Sequence, residues 1–108
     1  MTTAREIMTD AAKKIAARAE EARQVDALYK FILKGDDGGT WMVDLTQTPG
    51  VEEKDAPAPC TLTMSTGDFV AMMEGNEPPQ VLFFSGKLQI EGDVMLALRL
   101  QALRQLLA

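Results

Sequence analysis

The run Pro79-Gln80-Val81-Leu82-Phe83-Phe84-Ser85-Gly86-Lys87-Leu88-Gln89-Ile90-Glu91-Gly92-Asp93 fits the end of one helix, a strand and the start of another helix into a short segment. Pro78-Pro79 suits a first helical turn, where a missing N–H costs no hydrogen bond. Val81, Leu82, Phe83 and Phe84 fill that helix, and Gly86 ends it. Leu88 and Ile90 then alternate with polar residues as a strand closed by Gly92. Asp93 is placed to cap a final helix running to about Leu107.

Outward from this segment, the same signals recur towards the N-terminus. Cys60, Leu62 and Met64 alternate with Thr61, Thr63 and Ser65 as a strand. Ser65 or Thr66 caps a short helix with Phe69, Met72 and Met73 on one face, and Gly75 stops it. Val25 to Lys34 reads as a strand with Tyr29 and Phe31. The turn Gly35-Asp36-Asp37-Gly38-Gly39 follows, then a strand with Trp41, Val43 and Leu45 facing one way. These two form an antiparallel hairpin. Val51 to Lys54 reads as a short edge strand, and Asp55 to Pro59 as a loop. At the start, Thr3 and Glu6 have capping-box spacing, predicting a helix from about residue 4 to 24. Ile7, Ala11, Ile15, Ala19 and Ala22 form its narrow apolar stripe. It reads as a surface helix leaning on the domain; the membrane-surface alternative suffers because an Ala stripe buries little area. The predicted class is α+β: a five-stranded mixed sheet covered by helices, one domain over residues 1–108.

Composition narrows the chemistry. The 108 residues are 46% apolar, with seven Met and no His. Without His, the usual nucleophile-activating base and the commonest metal ligand are missing. The single Cys60 excludes an internal disulfide, and a strand position without a neighbouring cation reads as a buried, inert thiol. Asp36-Asp37 and Glu52-Glu53 read as solvated carboxylates, and Lys87 as a solvent-exposed lysine. The net charge is −5, with the basic residues concentrated in the first third, which argues against nucleic acid and against strong attraction to anionic membranes. No apolar run has membrane-spanning length, and no signal-peptide core opens the chain, so a cytoplasmic location is expected.

The final helix is too apolar for a simple lid. At 100° per residue, Leu96, Leu100, Leu103 and Leu107 make one face. Met95, Leu98, Ala102 and Leu106 make a second, with Arg99 between them. The second face requires a partner: protein core, another subunit or a ligand.

The segments Gly39–Leu45, Cys60–Ser65, Asp68-Phe69 with Gly75, and Pro79–Asp93 leading to Leu96-Ala97 and Leu100 together resemble the SCP-2 (sterol carrier protein-2) lipid-binding family, over roughly residues 25 to 104. The resemblance implies an apolar tunnel inside the fold and binding, without catalysis or cofactor, of a fatty acid, fatty acyl-CoA, sterol-like or isoprenoid molecule. It implies Phe69, Met72, Met73, Phe83, Phe84, Met95 and Leu98 as tunnel lining, with Gln101 as a polar residue nearby. Burying about 12 methylenes at ~0.8 kcal/mol each offers roughly 10 kcal/mol, and association costs several, leaving affinity near micromolar. Leu106-Leu107-Ala108 is not a peroxisomal ending, and the acidic balance differs from the basic animal carriers. A compact stand-alone version suggests a bacterial or archaeal protein, monomeric or weakly dimeric, that holds its ligand for a partner enzyme. A protein-interaction or accessory subunit presenting a lipid-like substrate to a partner enzyme is the alternative.

Overall fold

The computed structural model describes residues 2–107, so Ala108 of the C-terminal tripeptide lies outside the described residues. The elements are helices α1 (Ala4–Ala17) and α2 (Ala19–Val25) and strands β1 (Leu28–Lys34), β2 (Gly39–Asp44), β3 (Gly50–Glu52) and β4 (Cys60–Ser65). Helices α3 (Thr66–Met73) and α4 (Pro79–Phe84), strand β5 (Gln89–Gly92), and helices α5 (Val94–Leu98) and α6 (Leu100–Leu107) follow. The sheet order is β3-β2-β1-β4-β5. β1 runs parallel to β4 and the other neighbours are antiparallel, so the sheet is mixed and the β1–β2 hairpin is as expected.

Period-two alternation sends Tyr29, Phe31 and Leu33, Trp41 and Val43, and Cys60, Leu62 and Met64 to one face, where the helices cover them. On the other face, Met42 is buried and the half-buried Lys30 pairs with Asp55 of the β3–β4 loop at 2.8 Å. The helix starts follow the capping residues read from the sequence. Thr3 Oγ1 accepts from Glu6 N at 3.1 Å, Ser65 Oγ from Asp68 N at 3.0 Å, and Asp93 Oδ1 from Met95 N at 2.9 Å. No helix among the described residues is long and apolar enough to cross a membrane.

Several boundaries differ from expectation, among them the short edge strand, which runs Gly50–Glu52 where the sequence predicts Val51 to Lys54. The N-terminal helix breaks at Arg18, whose guanidinium donates to Leu106 O at 2.8 Å, while Lys14 Nζ donates to Leu107 O at 2.8 Å. Two cations of the first helix thereby cap the C-terminus of the last, where the free carbonyls and the helix dipole favour positive charge. The buried stripe is Ala4, Met8, Ala11, Ile15 and Ala22, with Ile7 and Ala19 only half-buried. The first strand begins at Leu28 instead of Val25, because α2 continues to Val25 and Asp26 turns the chain with φ 52°.

The final helix, expected to be continuous, is split at Arg99. Leu96 O accepts the buried Tyr29 hydroxyl at 2.5 Å and Arg99 N at 3.0 Å. The Arg99 side chain reaches the end of α2, donating to Asp26 O at 2.7 Å and Val25 O at 3.2 Å. The break re-aims the two apolar faces: Leu96, Ala97, Leu100, Leu103 and Leu106 are buried, whereas Met95 and Leu98 stay exposed.

The carboxylates Asp36-Asp37 and Glu52-Glu53 are exposed, as their solvated reading expects, and Arg5 bridges two of them. Arg5 forms a forked pair with Glu53, at 2.6 and 3.0 Å, and its backbone N–H donates to Asp37 Oδ2 at 3.0 Å. Its guanidinium carbon lies 5.2 Å from the Trp41 ring centroid. Hydrogen bonds from Arg5 hold the Asp37 and Glu53 carboxyls below their ordinary range.

Candidate lipid-binding groove

α4 is a six-residue helix bounded by Pro78 and Gly86, and α5 is a five-residue helix bounded by Asp93 and Arg99. Elements this short cannot bury all their apolar residues against one sheet edge. Gly86 terminates α4 with φ +80°, and Lys87 N donates back to Leu82 O at 2.9 Å. This turn delivers Leu88 into the core and Ile90 to the edge strand β5. Gly92, at φ +93°, sits where a Cβ would come within 2.2 Å of Pro59 O, so only glycine lets β5 pass this close and turn into α5.

Between these elements lies a groove of about 170 Å³, lined by Pro79, Phe83, Phe84, Leu88, Ile90, Val94, Ala97, Leu98 and Leu100, with Gln80 and Gln101 as its polar side chains. No titratable side chain contributes to it. Around its mouth Phe84 is 83% exposed, Met95 65% and Leu98 64%, with Val81, Phe83 and Val94 also exposed. The site is an open groove, flanked but not covered by two short helices.

Of the residues singled out in the sequence, Phe83, Phe84, Leu98 and Gln101 meet in this groove. Phe69 and Met72 belong instead to the closed core, packed away from the groove, with Phe69 edge-on to Phe31 at 5.6 Å. Met73 lines a separate void of about 10 Å³ with Phe69, Leu103 and Leu107, room for about one water. Met95 is exposed beside the groove and does not line it. Pro79, Leu88, Ile90, Val94, Ala97 and Leu100 line the groove without having been singled out for it. The signal that could have found them is the brevity of the Pro- and Gly-bounded segments, which leaves apolar residues without cover. Lys87 is exposed and outside the lining. Cys60 is buried in β4, where desolvation pushes its thiol up, away from the reactive thiolate.

The groove sits on a five-stranded mixed sheet with its helices on one face, and a model of the SCP-2 sterol transfer family matches residues 8–105. The chain belongs to the SCP-2 sterol transfer family. Rat sterol carrier protein 2 (Rattus norvegicus) is 36% identical over 104 residues, covering 91% of this chain and 19% of its own length. Hydroxysteroid dehydrogenase-like protein 2 of Mus musculus is 41% identical over 87 residues, 78% of this chain and 18% of that protein. The chain thus spans about a fifth of the curated relatives it matches. Among solved structures, sterol carrier protein 2 from Yarrowia lipolytica, in its apo form, superposes with a TM-score of 0.81 at 26% identity, covering 94% of this chain and 88% of that one. Sterol carrier protein-2 from Aedes aegypti, solved in complex with the C16 fatty acid palmitate, gives a TM-score of 0.78 at 26% identity over the whole of both chains.

Proposed function

We propose that this SCP-2 domain binds an apolar lipid, such as a fatty acid or another acyl or isoprenoid chain, in the groove between α4, β5 and the α5–α6 junction. The reading rests on one observation: an apolar groove without a charged lining residue, surrounded by exposed Phe, Met, Val and Leu side chains that a folded protein ordinarily buries. The palmitate complex of the Aedes aegypti relative supports an acyl ligand. A lining without acid, base or nucleophile supports binding without turnover.

Phe83, Phe84 and Leu98 are the proposed contacts for the chain. At about 170 Å³ the groove is smaller than the ~300–1,000 Å³ of typical small-molecule sites, so a long acyl chain requires α4 and α5 to separate. Their short length makes that motion inexpensive. The matched segment forms about a fifth of hydroxysteroid dehydrogenase-like protein 2, which supports a role in presenting lipid to an enzyme.

The test is native mass spectrometry of purified protein, together with displacement of a fluorescent fatty acid. Copurified acyl or isoprenoid material, or micromolar displacement by palmitate, is expected. Empty protein that also leaves the reporter unbound would overturn the reading.

A further inference from the structure

Strand β5 ends one side of the sheet, and its outer edge is open. Asp93 N donates to Pro59 O at 2.8 Å, in the same register that sets Glu91 opposite Thr61 and Gln89 opposite Thr63. Antiparallel ladders alternate, so Gln89 and Glu91 turn their backbone groups to β4, and Ile90 turns its N–H and C=O outward. Among the described residues neither of these Ile90 groups meets a partner.

Helices α4 and α5, which precede and follow β5, add apolar surface beside that edge. Val81, Phe83, Phe84, Val94, Met95 and Leu98 are 45% to 83% exposed. With about 150–250 Å² for an aromatic side chain and less for an aliphatic one, they expose roughly 600–700 Å². A standard protein interface takes about 800 Å² from each partner. Val81 and Met95 lie outside the groove lining, so a lipid in the groove leaves them uncovered.

The strand edge discriminates between the surfaces that could cover this face. A bilayer offers no hydrogen bonds to the outward Ile90 groups, whereas another strand does. β5 is also complementary to itself. Two copies paired antiparallel about a dyad at Ile90 set Gln89 opposite Glu91 of the second copy, twice, an amide donor against a carboxylate. Moving the dyad to Glu91 would oppose two carboxylates. Gln89 and Glu91 are exposed on the sheet face away from the groove, and the two Ile90 side chains, which line the grooves, would meet on the other.

We propose that two copies of this chain pair through β5 and the α4–α5 face, as a weak dimer that continues the sheet across the dyad and closes each groove against the other. The closure rests on the groove being the lipid site. It completes that site, because two facing grooves double the volume and reach the lower end of the ~300–1,000 Å³ of small-molecule sites.

The test is sedimentation equilibrium of wild type, Gln89→Glu and Gln89→Glu with Glu91→Lys, alongside palmitate displacement of a fluorescent fatty acid at low and high protein concentration. Wild type should dimerise reversibly and bind palmitate more tightly as protein concentration rises. Gln89→Glu opposes carboxylates at two places and should weaken the dimer about tenfold, with the circular dichroism spectrum unchanged. Adding Glu91→Lys puts opposite charges across the dyad and should restore the dimer. A wild type that stays monomeric while binding palmitate overturns the dimer and leaves the groove; if that monomer floats with phosphatidylcholine vesicles, the face belongs to a lipid surface. A dimer that Gln89→Glu does not weaken overturns the pairing through β5. A dimer that binds no palmitate keeps the pairing and overturns the groove, and a monomer that binds none overturns both.

Discussion

Over the middle of the sheet, α1, α3 and α6 press Met8, Ile15, Phe69, Met72, Leu100 and Leu103 into a layer in which each is at most 3% exposed. Beside β5, at the sheet edge, α4 and α5 leave Phe84 83% and Leu98 64% exposed. Both regions are rich in large apolar residues. They differ in helix length: α1 has 14 residues and α3 and α6 eight each, whereas α4 has six and α5 five. Longer helices can turn a full stripe inward and be held by partners along it. Elements of one or two turns depend on their ends, which here are Pro78, Gly86, Gly92-Asp93 and Arg99. Stability thus resides over the sheet centre, and the open groove, our proposed lipid site, at the edge.

The sharpest way to break this contrast is to place a charge in each region. Leu103, 2% exposed, lies outside the groove. Leu103→Asp should cost several kcal/mol, comparable with the stability of a domain this size, and should abolish cooperative unfolding. Leu98→Asp should leave the melting temperature nearly unchanged, since water already reaches Leu98, but should remove fatty-acid binding. Equal destabilisation by both would make the groove ordinary core.

A second pair sharpens the difference at the glycines that bound β5. Gly92→Val drives a Cβ into Pro59 O and should destabilise by about 3 kcal/mol or more. Gly86 has no atom within 4 Å of the added Cβ, so Gly86→Val should cost only the ~1–2 kcal/mol of a left-handed conformation. Chemical denaturation of the two variants measures the gap, and equal costs would mean that the Pro59 contact yields.

Smaller effects come from the tethers. Burial pushes the Tyr29 hydroxyl well above its ordinary range while it donates to Leu96 O. A raised folded pKa means this contribution is complete below the unfolded value near ~10 and is lost as pH rises past it. Tyr29→Phe should cost about 1 kcal/mol at pH 7 and reduce the alkaline loss of stability seen by thermal melts. Smallest is Arg5→Met. Asp37 and Glu53 are lowered by Arg5, so their contribution is present above the unfolded carboxylate range and fades as pH falls through the folded values. The variant should melt slightly below wild type at pH 7 and alongside it near pH 2.

Local signals were legible in the sequence. Thr3, Ser65 and Asp93 cap helices, Pro79 opens α4, and alternation marks the strands, because each depends on residues a few positions apart. The split at Arg99 was not legible, since it depends on Tyr29, Val25 and Asp26, 67 to 74 positions away. The same distance problem hid Arg5 and its partners, 32 and 48 positions apart. For the groove, Phe83, Phe84 and Leu98 could be read from apolar crowding on short or doubly apolar helices. Met72 has the same composition signal yet is fully buried, because its face of α3 points at the sheet centre. Composition says that a residue is apolar; only topology says whether a neighbour covers it.

The most direct test of the groove is backbone hydrogen exchange with and without palmitate. A ligand lying between α4, β5 and the α5–α6 junction should slow exchange over residues 79–84 and 94–101. The amides of α1 and α3, around Met8, Phe69 and Met72, should change little. Protection confined to α1 and α3, with α4 and α5 unaffected, would place the lipid in the closed layer and contradict the account.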